Sequence, residues 1–285
     1  INFIMENRTD FNQISALWKA DKKMYVKRST IAAYDLIITN HLSPAFGKMT
    51  EITEKDVQEF VICKLEQGLS SKSVKDMLIV LKMILKFGAK SGLIRKESMD
   101  IKFPTERSKS EVAVLKKEDH RTLLKHILKN PSPKNIGIYI CLNSGIRIGE
   151  LCALKWEDID FHREVINITK TIQRIYINED GCRHTELLIG PPKTKDSIRQ
   201  IPMIDEMTIT LRLLSRFYMP EDYILTGKPT PTEPRTYRNH YKKVLETLKI
   251  PRLKFHGLRH SFATRCIESD CDYKTVSALL GHSNI

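Results

Sequence analysis

Apolar residues recur with helical spacing through most of the chain. In "VKDMLIVLKMIL", Val74, Met77, Leu78, Leu81, Ile84 and Leu85 fall on one face at i, i+3, i+4 and i+7. In "ITEKDVQEFVICKLEQG", Thr53 stands as a cap before the periodic run and Gly68 as its stop. Residues 10 to 91 as a whole predict four helices, enough to close into a small bundle. Two of the helix starts, "KRST" at 27 to 30 and "SSKS" at 70 to 73, set free backbone N–H groups beside Lys and Arg. Such a start suits a phosphate, and equally serves as a plain N-cap.

From Arg95 to Val112 the helical period is lost. "RKESMDIKFPTERSKSEV" contains Pro104, is rich in charge, and reads as a linker between two domains. Helices are predicted again near 116–129, 134–143 and 147–154. The β-branched runs "VINIT" and "TIQRIYI" then predict strands, with a third over "RQIPM". Four more helices follow near 204–217, 235–248, 257–268 and 273–280, the last stopped by Gly281. Three strands among helices predict a mainly α domain with a small antiparallel sheet. There is no internal repeat and no low-complexity tract.

Charge narrows the choice of partner. The 285 residues carry 47 Lys and Arg against 34 Asp and Glu, a formal net charge of +13. The excess is spread over both halves: 17 basic and 12 acidic residues precede position 105, and 30 and 22 follow it. A polyanion, double-stranded DNA first, fits this better than an acidic small molecule, and two basic domains fit a clamp around a duplex. No apolar run approaches the ~20 residues that cross a bilayer, and no basic-then-apolar leader opens the chain. A cytoplasmic protein with no membrane partner is therefore expected. Cys63, Cys141, Cys152, Cys182, Cys266 and Cys271 form no CxxC pair and read as reduced core residues, not a disulfide or zinc framework. Ile1 is not a start methionine, and the sequence is expected to be a piece of a longer protein.

Four short stretches carry candidate chemistry: "SGIRIGEL" around Arg147, "PPKTKDSIRQIP" around Lys193, "HGLRH" with His256 and Arg259, and "LLGHSN" with His282. Singly they are ordinary. Arg147 could be a surface helix residue and Lys193 a solvated turn residue, while His256 and His260 at i, i+4 could hold a metal. In this order and these contexts, however, they resemble the tyrosine recombinases, specifically the integrases of phages and conjugative transposons. The resemblance runs from the helical bundle to the last residue.

The resemblance implies a mainly α fold: an N-terminal four-helix core-binding domain over 1–94, a linker over 95–112, and an α-rich catalytic domain with a small antiparallel β-sheet over 113–285. It implies a transesterification in which a tyrosine attacks a DNA phosphodiester, releases a 5′-hydroxyl and holds a 3′-phosphotyrosine until another 5′-hydroxyl displaces it. Bond energy is conserved, so no cofactor and no metal are implied. Arg147 and Arg259 are then the two guanidinium forks that take the charge of the pentacoordinate phosphorane. Lys193 becomes the acid for the leaving 5′-oxygen, with Lys195 as runner-up in the same turn. His256 helps to handle the tyrosine proton, and His282 donates a hydrogen bond to the phosphate.

Glu150, three residues after Arg147, is placed to orient it. His260 reads as a packed core histidine. Tyr273, at the start of the amphipathic helix of Val276, Leu279 and Leu280, reads as a packing residue and not the nucleophile. In the family the nucleophile lies about nine residues past the second histidine, on a further helix. It is thus expected beyond Ile285, and the catalytic domain is expected to lack its C-terminal end here.

Further DNA contacts are expected at Arg28, Lys72, Ser73, Lys195, Arg199, Arg235, Arg238 and Arg252, all near element ends. Expected partners are double-stranded DNA, further copies of the chain (dimer to tetramer on DNA) and an accessory directionality protein. Two other classes compete: a noncatalytic DNA-binding protein that occupies recombination sites, and a metal nuclease built on His256 and His260, which EDTA would inhibit.

Overall fold

A computed structural model describes residues 9–95, 98–104, 113–179, 182–192 and 197–281. It divides into two compact units, one of Ile1–Ser108 with Ile175–Glu186, the other of Lys109–Arg174 with Leu187–Ile285.

In the first unit, helix α1 (Phe11–Lys23) begins with a reciprocal capping box between Asp10 and Gln13. Helix α2 (Arg28–Ile37) continues through a π-helical turn, Ile38–Leu42, into α3 (Ser43–Phe46). Helix α4 (Glu54–Glu66) starts from Thr53, as the sequence predicts, with Asp56 completing the box. Ser70 caps α5 (Ser71–Lys90). The face predicted for α5 is buried at Val74, Met77, Leu78, Leu81 and Ile84, with Leu85 at its margin. It meets Phe11, Trp18, Phe46 and Phe60 in one core, with the Phe46 and Phe60 rings 5.1 Å apart. The first part of the predicted linker does not hang free. Asp100 N–H donates to Glu54, the Lys102 main chain exchanges hydrogen bonds with Gln58, and Met99, Ile101 and Phe103 pack on this core.

The second unit opens with α6 (Lys117–Lys129), α7 (Pro133–Ser144) and α8 (Ile148–Ala153). Helix α7 is buried almost all round, which its sequence "PKNIGIYICLNS" allows because few of its side chains are charged. After a short 3-10 turn come β1 (Ile159–Asp160), β2 (Val165–Ile168), β3 (Thr171–Glu179), β4 (Cys182–Gly190) and β5 (Arg199–Pro202), of which the Ile175–Glu186 parts of β3 and β4 belong to the first unit. Helices α9 (Asp205–Ser215), α10 (Pro234–Thr247), α11 (His256–Glu268) and α12 (Tyr273–Leu280) complete it.

The single small sheet predicted from three strands is instead two. Strands β1, β2 and β5 form one antiparallel sheet, with Ile166 opposite Ile201 and Ile168 opposite Arg199, while β3 pairs with β4. Strand β4 escapes the sequence reading because "CRHTELLIG" shows no apolar alternation, and its first four residues are all exposed. Strand β1 is only two residues long.

Two further expectations are corrected. Only Cys141 and Cys152 are buried; Cys63 and Cys182 are exposed, Cys266 and Cys271 half-buried, and all six are free thiols. Tyr273 is 71% exposed, because the buried stripe of α12 runs through Val276 and Leu280 and leaves its first residue outside. Among the described residues, no helix is long and apolar enough to cross a membrane.

Candidate active site

The site is organised around the C-terminal end of α12. Asp272 caps the start of this helix by accepting from the Thr275 N–H, and Gly281 ends it in the left-handed conformation (φ 64°). A helix end leaves its last carbonyls without intrahelical donors and carries the negative end of the dipole. Three arginines from three other elements supply donors to three successive carbonyls. Arg199 Nε reaches Leu279 O at 2.6 Å, Arg259 Nη2 reaches Leu280 O at 2.6 Å, and Arg147 Nη2 reaches Gly281 O at 2.9 Å.

Each arginine is delivered by a defined local structure. Arg147 is the N-cap of α8, in extended conformation (φ −74°, ψ 148°), two residues after Gly145, whose left-handed conformation ends α7. Arg259 lies one turn into α11, 4% exposed, and its Nη1 donates to the Gly145 carbonyl at 2.9 Å. Arg199 opens β5, two residues before the buried Ile201, and its side chain therefore points inward.

One carboxylate serves two of the three cations. Glu150 in α8, 3% exposed, accepts from the Arg147 main-chain N–H (3.0 Å) and from Arg147 Nη1 (2.9 Å). It also takes a bidentate fork from Arg199, Nη2 to Oε2 at 2.9 Å and Nη1 to Oε1 at 3.2 Å. Burial by itself would raise the Glu150 pKa; the hydrogen bonds and charge of Arg199, followed by the main-chain and side-chain hydrogen bonds of Arg147, reverse this and hold it below its ordinary value. Glu150 is thus an orienting anion and not a proton carrier. Arg259 has only carbonyls among these partners. Burial first, then the like charges of Arg147 and Arg199, push its guanidinium well below its ordinary value, to about 9. Three guanidiniums around one carboxylate leave a local excess of positive charge. Its accessible edge is Arg147, whose side chain is 35% exposed.

His256 is the exposed first residue of α11, one turn ahead of Arg259. Its ring stands edge-on to His260, with centroids 4.5 Å apart and planes at 86°. His260 is half-buried and held edge-to-face in this pair, not packed in the core as expected. Among the described residues no group of three His, Cys, Asp or Glu side chains is placed to hold a metal ion. Lys193, Lys195 and His282 lie outside the described residues.

The expected DNA contacts divide. Lys72 and Ser73 sit exposed in the first turn of α5, Arg235 and Arg238 exposed at the start of α10, and Arg252 exposed in the loop before α11. Arg28 heads α2 and pairs with Glu186, Nη1 to Oε1 at 2.5 Å. Arg199 departs from the expectation altogether: its side chain is 6% exposed and engaged with Glu150. The signal that could have placed it is the two-residue alternation of "RQI", which sets Arg199 on the face of Ile201.

Residues 113–285 match the model of the phage integrase family, and residues 10–62 match that of the phage integrase N-terminal SAM-like domain. The chain is 29% identical to a XerC-like tyrosine recombinase of Caldanaerobacter subterraneus subsp. tengcongensis, over 92% of this chain and 73% of that one. It is 24% identical to the ICEBs1 integrase of Bacillus subtilis, over 87% of this chain and 69% of that one. In fold it is similar to the Tn1549 transposon integrase, solved with a circular intermediate DNA: TM-score 0.77, 20% identity, 96% of this chain and 92% of that chain. With the family model covering more than half its length, the chain belongs to the phage integrase family of tyrosine recombinases, enzymes that break and rejoin DNA strands at specific sites.

Proposed function

We propose that the protein is the integrase of a mobile element and that Arg147 and Arg259 grip the nonbridging oxygens of the scissile phosphate. The observation that carries this is the anchoring of both guanidiniums on adjacent carbonyls, Gly281 and Leu280, at one helix end. Guanidinium forks held this way face an incoming phosphate already oriented, without reorganisation during the reaction. The tyrosine oxygen attacks phosphorus as the bond to the 5′-oxygen breaks. His256, exposed at the head of α11, helps to take the tyrosine proton, and Lys193 gives a proton to the departing 5′-oxygen. His282 adds a hydrogen bond to the phosphate. A 5′-hydroxyl then reverses the sequence and frees the enzyme, so neither nucleotide nor metal is consumed or needed.

Lys72, Ser73, Arg235, Arg238 and Arg252, with Arg28 once it leaves Glu186 and with Lys195, supply contacts to the duplex backbone outside the site. Exchange between two duplexes calls for four protomers, and a duplex-DNA substrate puts the work in the cytoplasm. An accessory protein that sets direction belongs to the same proposal. A purely DNA-occupying role is not favoured, because it gives no use to arginines enclosed around a single buried carboxylate.

The test uses the full-length protein with a nicked suicide duplex carrying the end of its element. A covalent protein–DNA adduct that forms in EDTA supports the proposal. Tight binding with no adduct, or an adduct abolished by EDTA, overturns it.

A further inference from the structure

We propose that Arg199 is a positioning residue of this site: it fixes Glu150, and through Glu150 Arg147, while its Nε holds the α12 carbonyl next to the two that Arg259 and Arg147 grip. The proposal rests on the recombinase reading above. Its ground is the distribution of the Arg199 donors. Nε goes to Leu279 O, Nη1 to Glu150 Oε1 and Ser197 O, and Nη2 to Glu150 Oε2. No other side chain joins α8, β5 and the end of α12 in this way among the described residues.

The strand that delivers Arg199 is paired into the sheet, with Ile168 opposite Arg199 and Ile166 opposite Ile201. A planar fork can satisfy both carboxylate oxygens and still point Nε along the helix end; an ammonium group cannot. A third guanidinium in the site also has a cost, since it repels Arg259 and contributes to lowering that group's pKa. That cost is offset by the geometry it imposes on Glu150. With Glu150 held from behind by Arg199, the Arg147 main chain and Nη1 find their acceptor already oriented, and Arg147 Nη2 stays on Gly281. Arg199 therefore acts on the rate at the phosphate and not on the affinity for the duplex.

The test compares wild type, Arg199→Gln, Arg199→Lys, Glu150→Gln and the Arg199→Gln/Glu150→Gln double variant in the full-length protein. Single-turnover adduct formation at saturating suicide duplex is read beside Kd and its salt dependence. Displacing the site by a fraction of an ångström predicts a rate loss of about 10- to 100-fold for Arg199→Gln, with Kd and salt slope at the wild-type values. Arg199→Lys recovers little of it. The double variant falls no more than about threefold below the slower single variant, because both act through one contact.

A salt slope lower by about one with an unchanged saturating rate would make Arg199 a phosphate contact and overturn the role. So would fully multiplicative losses in the double variant, or a rate per folded molecule equal to wild type beside a lowered thermal midpoint. A wild-type protein that forms no adduct overturns the recombinase reading itself; an active wild type with an equally active Arg199→Gln overturns only the positioning role.

Discussion

Arg259 donates to the carbonyl of Leu280 at 2.6 Å and so ties the middle of the second unit to the last residue of α12. Its Nη1 also donates to a main-chain carbonyl, that of Gly145. The guanidinium is oriented without being neutralised, in a setting where burial and two neighbouring arginines disfavour its charge. The site is therefore short of an anion. Inorganic phosphate at ten times its Kd is expected to raise the thermal midpoint of wild type by about 3 °C. Arg259→Gln is expected to abolish that gain. Scanning fluorimetry at matched ionic strength checks this, and an equal gain in both proteins would contradict it.

Glu150 makes the stability of the second unit depend on pH. Its folded-state pKa lies below the ordinary 4.5, so its contribution is present above the unfolded value and is lost as pH falls through the folded one. Glu150→Gln removes the anion between two arginines and is expected to cost about 3 kcal/mol at pH 7. The gap between the two proteins should narrow once the pH drops below 4.5. Urea midpoints at pH 7 and in the acid range measure it; a gap that stays constant would mean that the carboxylate charge contributes nothing.

Gly145 sets the corner from which Arg147 departs. Its φ is 59°, and an added Cβ would lie 2.5 Å from Phe262 Cδ1 and 2.7 Å from Leu280 Cδ2. Left-handed strain and overpacking together predict a loss of about 3 kcal/mol for Gly145→Ala. Because the Gly145 carbonyl also holds Arg259, adduct formation per folded molecule should fall as well. Chemical denaturation paired with single-turnover rates tests both parts, and a variant with wild-type stability and rate would contradict the account of this corner.

Much of this architecture is legible in the residues themselves, and the misses have physical causes. The stripe from Val74 to Ile84 and the Thr53 cap are local signals, and helices α5 and α4 follow them. Arg147, Arg259 and Glu150 are readable from "SGIRIGEL" and "HGLRH" through the family resemblance, but the helix end that gathers the arginines is not. That arrangement is made by main-chain carbonyls at Leu279, Leu280 and Gly281, and a carbonyl has no letter in a sequence. Arg199, expected at the duplex as a basic residue near an element end, is instead turned inward with Ile201, as the two-residue alternation of the strand requires. Tyr273 departs in the opposite sense, as an aromatic beside an apolar stripe that the first turn of α12 leaves exposed.

The most direct measurement is the adduct-forming rate of Arg147→Lys and Arg259→Lys at saturating suicide duplex, set against their Kd for the same duplex. If the two guanidiniums stabilise the phosphorane, each variant loses on the order of 10² to 10³ in rate while Kd stays within a few-fold of wild type. Rates that survive either substitution, or losses found wholly in Kd, would contradict the assignment of these arginines to the reacting phosphate.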